Sequence, residues 1–213
     1  MKFTKLDHDL RKYGQYKNDI FEKLAFPFEP GFQLLDVGCG DCSDAKIFKE
    51  AFCLLVKGCD VYKHPNSDLL ELDFTNASAD NLPYSDKSFD YTFIHDVLHH
   101  VDELNQDRAI HIKALGELKR VTKAGGYVII LEGNRYNPLF YPHMVKIRGH
   151  NHFTQYYFKQ IVLEIYPKAE FKFFEAHLYP TKLLKFFKLY EYLMERFAPR
   201  SILAYNVAIC RVQ

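Results

Sequence analysis

Tryptophan is absent from this chain of 213 residues, while phenylalanine (19) and tyrosine (15) abound, so core and pocket are expected to be walled by those two rings. Neither sign of charge dominates. Lys+Arg 28 against Asp+Glu 27 leaves a formal net charge of +1, too little to demand a nucleic-acid partner. No apolar run approaches the ~20 residues that span a bilayer, and the polar start Met1 to Asp9 does not read as a secretion signal. A cytoplasmic protein is the expectation. The five cysteines are odd in number and scattered, which suggests no disulfide framework. Internal repeats, low-complexity segments and interdomain linkers are also lacking. The expectation is one domain over residues 1–213, long enough to bury a sizeable core.

What is there is organised around Phe32 to Ser43. The apolar run Leu34 to Val37 breaks into Gly38-Cys39-Gly40, and Ser43, an N-cap type, precedes the helical pattern Asp44 to Phe52. A strand, a glycine turn and a helix make the first crossover of an open α/β sheet, where a ligand lies over the strand end. The closely spaced glycines let backbone approach that ligand with no Cβ in the way. A dinucleotide fingerprint needs a third glycine where Ser43 stands, and Asp41 would repel a pyrophosphate, so a nicotinamide-dependent enzyme is disfavoured. A carboxylate there suits an ammonium or sulfonium cation instead. Cys39 and Cys42 have C-x-x-C spacing, but a four-ligand zinc set is missing and both fall in the turn.

The rest of the chain supplies further units in order. Leu10, Tyr13, Tyr16 or Lys17, Ile20 and Leu24 recur at helical spacing between Asp7 and Phe26, in an N-terminal element (1–30) that either packs on the sheet or covers the ligand mouth. Leu54 to Asp60 reads as the second strand. Asp60, about 20 residues beyond the glycine turn, is placed to hold a ribose diol. Hardly one helical turn fits before the third strand, which is expected to end at Asp73; Phe89 and Asp90 then open the fourth. A helix is expected over Asp102 to Thr122, a fifth strand over Tyr127 to Glu132, and an aperiodic lid or substrate loop over 136–152. Thr154 is expected to cap a helix running to Ile165, followed by a strand, a helix over Thr181 to Phe197 and a final strand within Ser201 to Arg211. That last helix, rich in Lys and Phe, caps the sheet or meets a membrane or an apolar substrate.

Asp36 with Gly38-Cys39-Gly40 resembles motif I of the class I S-adenosylmethionine-dependent methyltransferases. Asn81-Leu-Pro-Tyr-Ser-Asp-Lys-Ser-Phe-Asp90 resembles the L-P-[FY]-x-D-x-S-F-D segment of the group that includes the ubiquinone and menaquinone biosynthesis methyltransferases, and Leu118 to Gly126 matches that group's L-x-R-V-x-K-x-G-G unit. The resemblance implies a single-domain, Rossmann-like α/β fold. Its sheet would have seven mostly parallel strands with an antiparallel last strand, and helices on both faces. It implies S-adenosyl-L-methionine as cofactor, held by Asp36, Gly38, Cys39, Gly40, Asp60, Val61, Asp73, Phe74 and His95. Asp73 would take the adenine amine, with Ser78 or Asp80 as alternatives, and His95 would face the methyl group. The expected reaction is in-line methyl transfer to a small aromatic, amphipathic or lipid-like acceptor, with His95, His99 and His143 as candidate bases and no metal. The rival reading from another class is a cofactor-binding regulator without turnover.

Overall fold

The computed structural model describes residues 13–213; the expectations at Asp7, Asp9 and Leu10 lie outside them. The described chain begins with helix α1 (Tyr13–Leu24) and runs through β1 (Gln33–Val37), α2 (Ser43–Glu50), β2 (Leu55–Asp60), the single turn α3 (Asn66–Leu69), β3 (Asp73–Asn76) and β4 (Phe89–His95). It continues with α4 (Arg108–Val121), β5 (Thr122–Gly133), α5 (Gln155–Ile165), β6 (Glu170–Phe174), α6 (Leu184–Phe197) and β7 (Tyr205–Arg211). The seven strands form one sheet in the order β3-β2-β1-β4-β5-β7-β6. All neighbours are parallel except at β7, which runs antiparallel to both β5 and β6. Strands covered on both faces need continuous apolar runs, and β1 and β4 have them: four of five residues of β1 and six of seven of β4 are buried.

Two apolar layers cover the sheet. On one face α1 and α2 lay Ile20, Phe21, Leu24 and Phe48 over Leu34, Tyr91 and Phe93. Phe21 and Phe93 meet Phe48 edge-on at 5.0 and 4.8 Å, so phenylalanine fills the wide gaps that tryptophan would otherwise take. On the other face α4 and α5 bury Leu115, Leu118, Val121, Phe158, Ile161 and Val162 against Leu35, Ile94, Val128 and Ile130. The sheet has its reversal point between β1 and β4, where neighbouring connections leave on opposite faces and a crevice opens beyond the carboxyl ends.

Local chemistry moved several boundaries. Cys42, in the left-handed region (φ 63°), takes the N-cap of α2 and offers no side-chain bond, so the expected cap Ser43 is the first helical residue. α4 begins at Arg108 rather than Asp102, because the Asp102 carboxylate accepts from Asn105 and from the Asp107 N–H, holding a turn; Asp107 then caps the helix at the Ala109 N–H. β3 starts at Asp73 instead of ending there. The aperiodic stretch contains a π-helical segment, Tyr141–Ile147, and Thr181–Leu183 forms a 3-10 turn before α6. α6 turns its charges inward: buried Glu191 meets Lys23 at 3.5 Å and Lys188 at 3.2 Å, and Glu195 meets Lys23 at 2.6 Å, while Phe186, Leu189, Tyr192 and Phe197 are exposed. The helix is therefore tied to α1 by ion pairs. No helix among the described residues is long and apolar enough to cross a membrane.

Candidate active site

At the end of β1 the chain turns on Gly38 (φ 71°) and Gly40 (φ 47°), both in the region that L side chains rarely adopt. A Cβ on Gly38 would lie 2.3 Å from a methyl of Val97, so no other residue fits under that side chain. Asp60 closes β2 directly opposite: its carboxylate accepts the Gly40 N–H at 2.9 Å and the Tyr62 N–H at 3.1 Å, which pins the glycine turn to the neighbouring strand. Gly38, Asp60, Val61, Ala77, Ser78, Ala79, Val97, His100 and Val101 line a cleft of about 280 Å³. Asp36 is buried in β1, its Oδ2 lacking any hydrogen-bond partner among the described residues. Burial, and next the Asp44 carboxylate, push the Asp36 pKa well above the ordinary carboxylate value.

The structure gathers some of the expected cofactor residues here and moves others away. Gly38, Asp60 and Val61 line the cleft, with Gly40 in the same turn, while Asp36 is buried in β1 outside that lining. Cys39 turns its side chain into the core against Gly58 and Leu72, and burial raises its thiol pKa, so the thiol does not face the cleft. Asp73 is a correction: it pairs with Lys57 at 2.7 Å at the start of β3, its side chain 60% exposed, outside the cleft lining. Phe74 packs on the α1/α2 layer and is likewise outside that lining. Ser78 occupies the cleft in their stead, its hydroxyl bound to Asp80 at 2.5 Å. Lys113 holds Asp80 from behind at 3.1 Å.

At the end of β4 a second polar group assembles from distant parts of the chain. Lys17 of α1 donates to Asp44 of α2 at 2.7 Å, and His95 Nδ1 lies 2.9 Å from the same oxygen and 3.0 Å from Lys17 Nζ. All three side chains are buried. Burial works to raise the Asp44 pKa, but Lys17 and His95 outweigh it and hold the carboxyl well below its ordinary value. His95 Nε2 is 3.6 Å from Asp96, whose carboxylate accepts the Gly133 N–H (2.7 Å) and the Tyr205 hydroxyl (3.2 Å); that hydroxyl is also bonded to Tyr16. Asp96 carries a left-handed backbone (φ 54°), a strained conformation held by these contacts. Lys17, Asp44, Asp96 and Tyr205 were missed from sequence. The signal for Lys17 was present: a charge on the apolar stripe of the first helix.

The histidines divide. His99 Nδ1 bonds the buried Glu132 carboxylate at 2.6 Å, and the other Glu132 oxygen accepts the Val97 and Leu98 N–H groups. Burial alone would depress the His99 pKa, yet Glu132 outweighs it and holds it above the ordinary value. His152 stacks on His99 at 4.3 Å, and burial followed by His99 pushes its pKa down to about 4. His143 is exposed on the π-helical segment, outside the cleft lining and the histidine group, a correction to its place among the candidate bases.

A parallel sheet carrying a glycine turn on its first strand and an acid at the tip of its second, both opening on one crevice, defines the nucleoside-binding α/β class. Residues 35–130 match the family model described as a methyltransferase domain. In this segment and in its fold the chain is similar to S-adenosylmethionine-dependent methyltransferases. Demethylmenaquinone methyltransferase of Lysinibacillus sphaericus is 28% identical over 156 residues, covering 69% of this chain and 59% of that protein. The tRNA (carboxymethyluridine(34)-5-O)-methyltransferase of Arabidopsis thaliana is 34% identical over 103 residues, or 47% of this chain and 24% of that one. This chain therefore spans well under two thirds of either relative. In fold it is similar to a SAM-dependent methyltransferase from Archaeoglobus fulgidus, with a TM-score of 0.65 at 16% identity over 97% of each chain. The cleft has features that fit S-adenosylmethionine: a side-chain-free turn for close approach and a strand-end carboxylate for a diol.

Proposed function

We propose that the chain transfers a methyl group from S-adenosylmethionine to a small aromatic or amphipathic acceptor, a quinone-like ring being the first choice. The observation that carries this reading is at the end of β1: a turn on two left-handed glycines pinned to Asp60 at the cleft, with a partnerless Asp36 oxygen buried in the same strand. In it, Asp60 takes the ribose hydroxyls, Ser78 stands at the adenine end in place of Asp73, and Asp36 faces the cationic end. When bound, the cofactor supplies an electrophilic methyl group on a sulfonium. The chain's part is to align the acceptor with it and exclude water. Asp96, with Tyr205 and His95 behind it, is the polar group proposed for orienting the acceptor, and His95 is retained as the candidate base for a hydroxyl or carbon acid. The name of the Lysinibacillus relative supports a ring-shaped acceptor, and the contacts among Tyr16, Phe140 and Tyr205 beside Asp96 are in keeping with it. The free state of all five cysteines is in keeping with a reducing, cytoplasmic setting.

Calorimetry tests the cofactor half. A cation prefers the ionised form of Asp36, so S-adenosylmethionine affinity should rise with pH through the elevated pKa of that acid and then level off, and the Asp36→Asn protein should lose this rise. A pH-independent affinity in the wild type, or binding of NAD in preference, would sink the assignment. Transfer of labelled methyl to a panel of quinols, phenols and RNA, read as released S-adenosylhomocysteine, tests the acceptor half. Tight binding with no release from any acceptor would leave a cofactor-binding regulator.

A further inference from the structure

In the sequence His95, His99 and His100 share one segment with Asp96 as their nearby carboxylate, and no metal is expected there. The fold breaks that set apart and makes another. His95 is engaged with Lys17 and Asp44, whereas His150 and His152, from beyond the π-helical segment, come up against His99. From this arrangement we infer that His99, His150 and His152 form a binding site for one divalent first-row transition ion such as zinc.

Four observations carry the site. One ring nitrogen from each of the three histidines falls within 4.8 Å of the other two. His99 Nε2 and both ring nitrogens of His152 are buried with no hydrogen-bond partner among the described residues, an arrangement that costs free energy unless something accepts their lone pairs. Glu132 holds His99 through Nδ1 at 2.6 Å, which is how a carboxylate behind a liganding imidazole fixes the tautomer and turns Nε2 toward the ion. Glu132 is itself fixed by two backbone N–H groups, so this support is rigid. Finally, residue 133 is glycine where a Cβ would stand 2.7 Å from His152 Nδ1, so the backbone makes room for that ring.

Imidazole nitrogens suit zinc and its neighbours and bond at about 2.0–2.1 Å, so the three rings must draw closer to hold the ion. Three histidines leave a position open for water or for an oxygen or sulfur of a bound molecule. His100, next in sequence to His99, lines the cleft proposed for the cofactor. His100 lies 3.1 Å from Glu103, and with His150 these two make a second group that could hold an ion; in the proposed site His150 joins His99 and His152 instead. The site does not depend on the methyltransferase reading.

The test is equilibrium dialysis of chelator-stripped full chain against zinc, with cobalt as the spectroscopic probe and far-UV circular dichroism as the check on folding. The wild type should retain one zinc per chain and give the visible bands of low-coordinate cobalt. His150→Gln and His152→Gln should each weaken zinc by at least about 10-fold, and Glu132→Gln by about 10- to 100-fold. His100→Gln should keep the ion. Zinc retention no greater in the wild type than in a folded His99→Gln/His152→Gln control would overturn the site, as would loss of the ion in His100→Gln alone. Because calorimetry with S-adenosylmethionine is run separately on the stripped protein, failure of the metal site and failure of the cofactor reading give different results.

Discussion

The two sides of the crevice are made of different material. On the β1/β2 side the surface is backbone: a glycine turn, one strand-end carboxylate and the Ala77 to Ala79 segment, with Asp60 accepting from the turn it faces. On the β4/β5 side the surface is side chains drawn from across the chain, with Tyr16 bonded to Tyr205, Lys17 to Asp44 and His95, and His99 to Glu132. The first side, proposed above for the cofactor, is built on close backbone contacts and tolerates little change of shape. The second side is held by buried charges and tolerates little change of polarity.

The largest expected effect breaks the second side. Lys17→Met leaves the Asp44 charge buried with only His95 to answer it, and should cost roughly 3–5 kcal/mol of stability in denaturant unfolding at neutral pH. Because the folded pKa of Asp44 is depressed, its contribution is complete above the ordinary value of 3.8 and is lost as pH falls through the lower folded value. The gap between wild type and variant should therefore stay constant from neutral pH to about 5 and narrow in stronger acid. A variant as stable as the wild type at pH 7 would show that the lysine charge is not needed there.

Next comes a steric break of the first side. Gly38→Ala puts a methyl 2.3 Å from Val97 on a left-handed residue, and the two penalties together amount to ~3 kcal/mol, about 100-fold in cofactor affinity. Adding Val97→Ala should recover part of it by calorimetry, since only the backbone term remains. Asp60→Ala should weaken cofactor by about 1.5–3 kcal/mol through lost charge-assisted hydrogen bonds; unchanged affinity would remove Asp60 from the binding surface. The smallest effect sharpens the boundary between site and surface: Asp73→Asn loses only an exposed pair with Lys57, so affinity should move by less than about 0.5 kcal/mol. A loss from Asp73→Asn larger than from Ser78→Ala would return the adenine contact to Asp73.

This contrast also explains what could be read in advance. Glycine spacing, an acid about 20 residues later and the periodicity of β4, α4 and β5 are local, so the sheet, its crossovers and the Gly38 to Asp60 side were legible from residue order. Asp73 misled because the third strand was given a carboxyl end where it has its start, and only pairing with Lys57 reveals the register. Lys17, Asp96, Tyr205 and His152 owe their roles to contacts across more than 50 residues, as with Tyr205 and Asp96 (|i−j| 109), and no spacing encodes those. Glu132 left a faint trace, an acid closing the apolar run Val128 to Leu131, which a reading for buried charge can use.

The position of β7 has a consequence for synthesis on the ribosome. The strand formed last lies between β5 and β6, so β6 has no sheet neighbour, and β5 keeps an open edge, until residues 205–211 emerge. The nascent molecule must wait with sticky backbone exposed, and a chaperone that shields β5 during that interval would raise the yield of active chains more than one acting on the first four strands.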